Sequence, residues 1–448
     1  MSREPIPLLA VGGRGHELSA AELGDHLDRI AGEVVAGGVR RVLVVPPDHT
    51  RLHSRGGTVA AHLDRALRAQ GVDVDLMPAL GTHRPLGPEE SRMLFGDGIR
   101  ADRLLEHRWR DDVTTIGEIE VDEVDAIVGR PLGLSLPVTV NSALVGGAYD
   151  LVVAAGQVVP HEVAGFGGYT KHLCIGLGGR DTIQRTHLIS AVYGIEETLG
   201  RVDSPVRRLI DLGFDRFLAP RCRTLFVLTV VEAAGEGGVL RGLFAGEGGT
   251  GSSGGAAFAA AAEFSADVNI TTVPEPFEVC VAYLHPMEFP STWLANKAIY
   301  RTRLAMADGG ELVVLAPGVD RFGEDEVVDA LIRRHGYRGR DAALRALKED
   351  PELAANLAAV AHLIHGSTEG RFTVRYCPGP GLGRADIEGV GFEYLSAEDA
   401  HERFGAGSRP ELGPGVDRDG RPFVAIPNAG LGLWRQGGSS AASGCQPE

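Results

Sequence analysis

The chain has little of what marks the specialised classes of protein. Of its 448 residues only five are cysteine and three tryptophan, and aromatic side chains make up 6%. Cys174, Cys222, Cys280, Cys377 and Cys445 are odd in number and far apart, which argues against a disulfide framework and against a Cys-x-x-Cys metal site. A reducing compartment is expected. Nowhere do eighteen apolar residues run together, and the N-terminal MSREPIPLLAVGGRG has no continuous apolar core, so neither membrane insertion nor export is signalled and a cytoplasmic location is expected. Positive charge is also short: 44 Lys and Arg face 60 Asp and Glu, for a net charge of -16. That balance gives no electrostatic support to a nucleic-acid or anionic-membrane partner. No internal repeat is evident.

What is present is enough apolar material to build a large core. Hydrophobic residues are 44% of the chain, and the length suits roughly two to three domains. Ser19 to Val35 has helical spacing behind a Ser cap, and Arg41 to Val45 (RVLVV) reads as a buried parallel strand that stops at Pro46-Pro47. Gly56 to Gln70 then reads as a helix and Val72 to Pro78 as the next strand, ending at Gly81-Thr82-His83-Arg84-Pro85. Strand, polar loop, helix, strand is a βαβ rhythm. It continues through strands expected at Asp125 to Val128, Pro137 to Asn141, Tyr149 to Ala155 and Arg223 to Val231, with helices at Asp181 to Leu199 and Ala256 to Phe264. Beyond about residue 270 a second α/β unit is expected. Its strands would be Phe277 to Tyr283, Glu311 to Ala316, Arg371 to Tyr376, Gly391 to Leu395 and Phe423 to Ile426, and its helices Ser291 to Ala305, Glu326 to His335 and Asp341 to Ile364. The expectation is therefore an α/β protein of two domains with mainly parallel sheets, 1–270 and 271–435, an active-site cleft between them, and a disordered tail over 436–448.

The stretch richest in chemistry runs from Gln157 to His187, just after the apolar run YDLVVAA. It holds His161, Gly165, Gly167, Gly168, Lys171, Gly178, Gly179 and His187. Open α/β sheets bind ligands at the carboxyl ends of their strands, which is where this segment stands. A metalloprotease helix is excluded, because no second His follows His161-Glu162 at the required spacing. A P-loop is excluded too, since Thr170 rather than Gly precedes Lys171 and His172 follows it. What remains is a backbone able to approach an anion closely, with one Lys and flanking His. A separate Gly-rich loop, Gly246 to Gly255, matches Gly-x-Gly-x-x-Gly at Gly246, Gly248 and Gly251, with Asp267 at the spacing of a ribose-binding acid. Its two readings are a nicotinamide-dinucleotide site and a flexible strand-to-helix connection.

Most histidines are surface or hydrogen-bonded structural residues, but His83, His161 and His187 stand at strand ends or in the Gly-rich segment, where imidazole can move protons or bind a metal. His49, His53 and His172 carry no such signal. Asp48-His49-Thr50-Arg51 reads either as a helix cap with a surface Arg, or as an Arg51 fork that clamps a carboxylate with Asp48 orienting a partner. Lys297, on the helix expected around Trp293 to Tyr300, reads by itself as solvated.

Taken together, these residues resemble the lactate racemase family, whose members use a nickel-pincer nucleotide. The resemblance is carried by Pro46-Pro47-Asp48-His49-Thr50-Arg51, by Gly81-Thr82-His83-Arg84-Pro85, by Pro160-His161 with its continuation to Lys171, and by His187 after Asp181-Thr182-Ile183. It implies that Lys171 tethers the cofactor, pyridinium-3,5-bisthiocarboxylic acid mononucleotide, covalently, that Gly165, Gly167 and Gly168 help seat it, and that His187 is the protein ligand to Ni(II). It implies that His83 and His161 are the acid/base pair, that Arg51 and Lys297 contact substrate, and that Asp48 organises the site. One His then takes the hydroxyl proton of a 2-hydroxy acid while hydride passes to the cofactor, a 2-keto species forms, and return of hydride to its other face inverts the carbon. The family also implies cofactor-synthesis proteins as maturation partners. The pattern departs at Leu294, where the family has a Gln three residues before the Lys, so the expected substrate is a 2-hydroxy acid larger than lactate, such as a sugar acid. The readings that compete with a racemase or epimerase are a NAD-dependent hydroxy-acid dehydrogenase using the Gly246 loop and a non-catalytic nucleotide or sugar-acid binding protein.

Overall fold

The computed structural model describes residues 9–233, 238–249, 252–405, 413–430 and 432–437. The chain divides into two compact units, Met1–Asn269 and Ile270–Glu448. In the first, β1 (Leu9–Gly12), α1 (Ala20–Ala36), β2 (Arg41–Val45), α2 (Gly56–Ala69) and β3 (Asp73–Leu76) are followed by α3 (Pro88–Phe95), β4 (Val113–Ile119), α4 (Val121–Val128) and β5 (Leu136–Asn141). Then come β6 (Leu151–Gln157), the short pair β7 (Pro160–His161) and β8 (Gly165–Phe166), α5 (Thr170–Cys174), α6 (Arg180–Tyr193), α7 (Pro205–Gly213), β9 (Thr224–Glu232), β10 (Val239–Glu247) and α8 (Ser253–Asn269). The main sheet has the order β1-β10-β9-β6-β2-β3. β3, β2, β6 and β9 pair in parallel, while β10 is antiparallel to β9 and to β1.

Local chemistry accounts for these elements. Ser19 accepts the Glu22 N–H at 3.2 Å and the Glu22 carboxylate accepts the Ser19 N–H at 2.9 Å, a reciprocal cap that starts α1. Leu23, Leu27, Ile30, Ala31 and Val34 then bury one face of α1 against the sheet. Strands β6 and β9 are apolar on both faces and buried along nearly their whole length, as a sheet covered by helices requires.

The sequence reading misplaced one strand here. Asp125–Val128 lies in α4, because Val124 and Val128 are one helical turn apart on the buried side and Gly129, at φ 76°, ends the turn. β4 and β10 had not been expected at all. The helix expected as far as Leu199 stops at Tyr193, where Gly194 caps it at φ 123°.

The second unit contains β11 (Ile270–Val273), β12 (Phe277–Tyr283), α9 (Thr292–Ala295), α10 (Lys297–Thr302), β13 (Met306–Ala316), α11 (Glu326–His335), α12 (Arg340–Glu349), α13 (Pro351–Ala354) and α14 (Leu357–His365). It ends with β14 (Thr373–Pro378), α15 (Arg384–Gly389), β15 (Glu393–Tyr394), α16 (Ala397–Phe404), β16 (Gly413–Val416), β17 (Pro422–Ile426) and β18 (Leu433–Gln436). Its sheet runs β15-β14-β13-β12-β17-β16, parallel except for β16, and β11 pairs in parallel with β18. The single helix expected at 341–364 is three, since Asp350 caps a new helix at Pro351 and Asn356 caps another at Leu357. The helix expected at 291–305 is likewise two, α9 and α10, meeting at Asn296. Gln436, expected in a disordered tail, closes β18 opposite Val273, and 438–448 lie outside the described residues. The architecture is α/β with parallel-rich sheets in both units. Among the described residues, no helix is long and apolar enough to cross a membrane.

Candidate functional site

The site grows out of three neighbouring strands. In the order β6-β2-β3, the chain leaves β2 for β3 on one side and returns to β6 on the other, so the sheet's winding direction reverses between β2 and β6. Loops at the carboxyl ends of strands part at such a point and leave a crevice. The loop after β2 carries Asp48 and Arg51, that after β3 carries His83, and that after β6 leads to His161.

Asp48 is 3% exposed and caps a 3-10 turn, His49–Ser54, by accepting the Thr50 N–H at 3.1 Å. The same oxygen accepts the Thr50 hydroxyl at 2.6 Å, and the other oxygen is bonded to His83 Nδ1. Burial raises the proton affinity of Asp48, but the His83 bond, the Arg51 charge and the Thr50 hydroxyl outweigh it and hold the carboxyl well below the usual range. A carboxylate only accepts, so His83 Nδ1 carries the hydrogen. In neutral His83 this leaves a lone pair on Nε2. Arg51 folds back on Thr50, with Nη1 donating to its carbonyl at 3.1 Å and reaching its hydroxyl at 3.2 Å. His49, left without a signal by the sequence, pairs with Glu90 at 3.3 Å.

His161 has the opposite tautomer. Its Nδ1 accepts the Val163 N–H at 3.0 Å, so the neutral ring carries its hydrogen on Nε2. Burial pushes its proton affinity well down, against the opposing pull of the Glu162 carboxylate 3.9 Å from Nδ1. His187, on α6, donates from Nδ1 to the Ile183 carbonyl at 2.6 Å, which leaves Nε2 unprotonated. Burial lowers its pKa to about 4. A neutral imidazole whose second nitrogen is fixed by a carbonyl is prepared as a metal ligand.

Lys171 stands on α5. Burial lowers its ammonium to about 8, with Glu162 and Asp48 opposing and Arg51 and Arg207 reinforcing the shift. Charges of Lys171, His187, Glu162 and Arg51 all act on His161, so these groups form one electrostatic cluster. His172, beside Lys171, is structural: Nε2 donates to the Val45 carbonyl at 3.0 Å, and its ring lies where a Gly156 Cβ would stand 3.1 Å away. Two of the three glycines are needed by the fold itself. Gly165 has φ 72° and a Cβ there would lie 1.8 Å from the Arg201 carbonyl oxygen; Gly168 has φ 80° and a Cβ 3.0 Å from the Gln157 carbonyl oxygen. At Gly167 the nearest atom to such a Cβ is an ordinary 3.6 Å away.

The structure thus brings Asp48, Arg51 and His83 together, and His161, Lys171 and His187 together, with Arg51 and Asp48 acting electrostatically on Lys171. Lys297 belongs to the second unit, where its Nζ lies 5.9 Å from the Phe289 ring centroid. The Gly246 loop lacks the context of a dinucleotide fingerprint. Gly246 lies in β10, an antiparallel strand, whereas that fingerprint needs a parallel βαβ unit. Gly251 lies outside the described residues, and Asp267 is bonded to Arg14. Sequence reasoning missed Glu162 and Arg207. Glu162 was considered only as part of a failed metalloprotease motif, and Arg207, buried on α7, had no motif to mark it.

Comparison with known proteins adds four findings. Residues 26–198 match the family model described as the lactate racemase N-terminal domain. The lactate racemase of Thermoanaerobacterium thermosaccharolyticum is 24% identical over 200 residues, 44% of this chain and 43% of that protein. The match thus spans less than half of that relative. Among solved structures, a Thermotoga maritima protein from a structural genomics programme superposes with a TM-score of 0.79 at 22% identity, over 95% of this chain and all of that one. The lactate racemase apoprotein from Thermoanaerobacterium thermosaccharolyticum superposes with a TM-score of 0.67 at 16% identity, over 92% of this chain and 93% of that one. At these identities the two structures speak for the fold.

Proposed function

We propose, from the match of residues 26–198 to the lactate racemase N-terminal domain, that the chain is a racemase or epimerase inverting the hydroxyl-bearing carbon of a 2-hydroxy acid. The observation that carries the reading is the opposed tautomers of His83 and His161. Neutral His83, held by Asp48, offers a bare Nε2 to a substrate hydroxyl proton. Neutral His161, held by the Val163 N–H, offers an Nε2 proton for return to an oxygen. Inversion needs one group of each kind in the starting state, and turnover in the reverse direction exchanges their roles.

The residues present fit the family's nickel-pincer nucleotide. Lys171 is a half-buried residue whose amine, with a pKa near 8, keeps an appreciable neutral fraction for attachment. His187 presents a lone pair on Nε2. Among the described residues no group of three or more His, Cys, Asp or Glu side chains could hold a metal, so nickel at His187 needs further donors, which a pincer ligand provides. When bound, the cofactor supplies hydride uptake and return at carbon. The chain's own share is to anchor it at Lys171 and His187, to move protons at His83 and His161, and to draw a substrate carboxylate with the Arg51 guanidinium. Leu294, on α9, offers no hydrogen bond where a carboxamide would hold a small carboxylate, which favours a larger substrate such as a sugar acid.

The test is intact-protein and peptide mass spectrometry with nickel quantification after co-expression with cofactor-synthesis proteins. The expected result is a mass adduct on Lys171, absent in Lys171→Ala, with near-stoichiometric nickel, followed by loss of optical purity in a panel of 2-hydroxy acids and sugar acids. Unmodified Lys171 without nickel under those conditions overturns the reading.

A further inference from the structure

Lys171 enters α5 from a backbone that an L-residue seldom adopts. Tyr169, immediately before the helix, has φ 56° and ψ -138°. Strain of this kind persists only where the surroundings over-determine it. The Tyr169 ring stacks on Phe258 at 5.1 Å and 13° and meets Phe226 at 4.5 Å. Arg207 bonds to the chain on both sides of that residue, to a backbone carbonyl before it and a side-chain hydroxyl after it. Its guanidinium is 3% exposed, donates Nη2 to the Phe166 carbonyl and Nη1 to the Thr170 hydroxyl at 3.1 Å, and lies 4.6 Å from the Phe258 centroid. Asp211, 3.5 Å from Arg207, also accepts the Thr170 hydroxyl. A buried cation is costly unless paired and hydrogen-bonded. An apolar residue would pack α7 without that cost. This one is placed where its planar fork spans the turn that leads into Lys171, from residue 166 to residue 170.

We infer that Arg207 is a positioning residue for Lys171: its fork holds Phe166 and Thr170 together, keeps Tyr169 in its strained conformation, and so fixes the direction from which the Lys171 amine enters the site. The inference rests on the reading of Lys171 as the anchoring lysine. A fork of this kind also keeps a fixed positive charge near that amine. Charge and geometry therefore act through one side chain.

The chain has only three lysines, Lys171, Lys297 and Lys348, and Lys348 is exposed, so amine reactivity can be read lysine by lysine. The full chain, purified without cofactor, is pulse-labelled with acetic anhydride from pH 6 to 10, and labelling of Lys171 is measured against Lys348 by peptide mass spectrometry. In Arg207→Gln the Lys171 midpoint is expected to rise by about half a pH unit or more, a threefold fall in relative labelling near neutrality, because a nearby cation has gone. Thr170→Val keeps the cation, its Asp211 partner and its bond to the Phe166 carbonyl while cutting the link at Thr170, and is expected to change relative labelling at least twofold. A purely structural arginine would lower the melting temperature and leave the profile of the folded protein unmoved. Wild-type profiles in both folded variants overturn the inference, and if Arg207→Gln does not fold, Thr170→Val decides alone. No step needs the cofactor, so failure of the adduct on wild-type Lys171 would count against the proposed function and not against this geometry.

Discussion

The placement of one hydrogen on each imidazole decides what the two acid/base candidates can do, and Asp48 decides it for His83. In Asp48→Asn the oxygen bonded to the Thr50 N–H is expected to remain the carbonyl, which turns the amide NH2 toward His83. His83 Nδ1 must then accept, its hydrogen moves to Nε2, and the ring is no longer a base on the substrate side. Turnover of the matured enzyme should fall by about two to four orders of magnitude. Nitrogen NMR of the cofactor-free protein should show the exchange of protonated nitrogen directly; an unchanged His83 tautomer would refute the argument. That Asp48, Arg51, His83, His161, Lys171 and His187 deserved attention was legible from their places at strand ends and in a Gly-rich segment. The tautomers were not, because they depend on Val163 N–H, on the Ile183 carbonyl and on a carboxylate brought from another loop. Glu162 and Arg207 were illegible for a related reason. Their meaning comes from neighbours 9 and 37 or more residues away in sequence, Lys171 and the 166–170 turn.

At the level of elements, the glycines of the 165–168 turn separate what a ligand asks from what the backbone asks. Gly165→Ala places a Cβ against the Arg201 carbonyl at a positive φ, so it should destabilise the first unit by on the order of 3 kcal/mol. Gly167→Ala meets nothing closer than 3.6 Å and should cost less than about 1 kcal/mol. Denaturant midpoints of the two variants check this, and equal losses would mean that the turn is held by something other than these contacts. Any effect of Gly167→Ala on adduct formation would then report on the ligand and not on the fold. The strands β2, β6 and β9 were readable as unbroken apolar runs with Pro or Gly at their ends. α4 was not, since four residues of Asp-Ala-Ile-Val have too short a span to tell period 2 from period 3.6. The breaks at Asp350-Pro351 and Asn356 were present in the sequence as cap residues inside a long periodic stretch, and the periodicity concealed them.

At the scale of the whole chain, the two units should differ in their response to acid. In the first unit burial holds His107, His172 and His187 at about 4, and His161 well below its ordinary value. In the second, burial holds His362 at about 3. Each of these rings is neutral in the folded state and takes up a proton on unfolding once the pH is below about 6.5. The unfolded state then binds more protons than the folded one, so stability falls as pH drops from about 6.5 toward 4, by up to about 1.4 kcal/mol per pH unit for each ring. Set against His362, the four rings of the first unit give it the steeper slope. The depressed carboxyl of Asp48 adds to it at still lower pH, since its stabilising charge is fully present above the unfolded carboxylate range and is lost as pH falls from that range through its lower folded value. Amide hydrogen exchange at pH 7 and pH 5, read separately over Met1–Asn269 and Ile270–Glu448, should show protection falling more in the first. Loading with nickel cofactor should carry the slope below pH 4, since metal would keep His187 Nε2 unprotonated where the free ring begins to take up a proton. An equal loss of protection in both units would show that the neutral histidines of the first do not govern its acid stability.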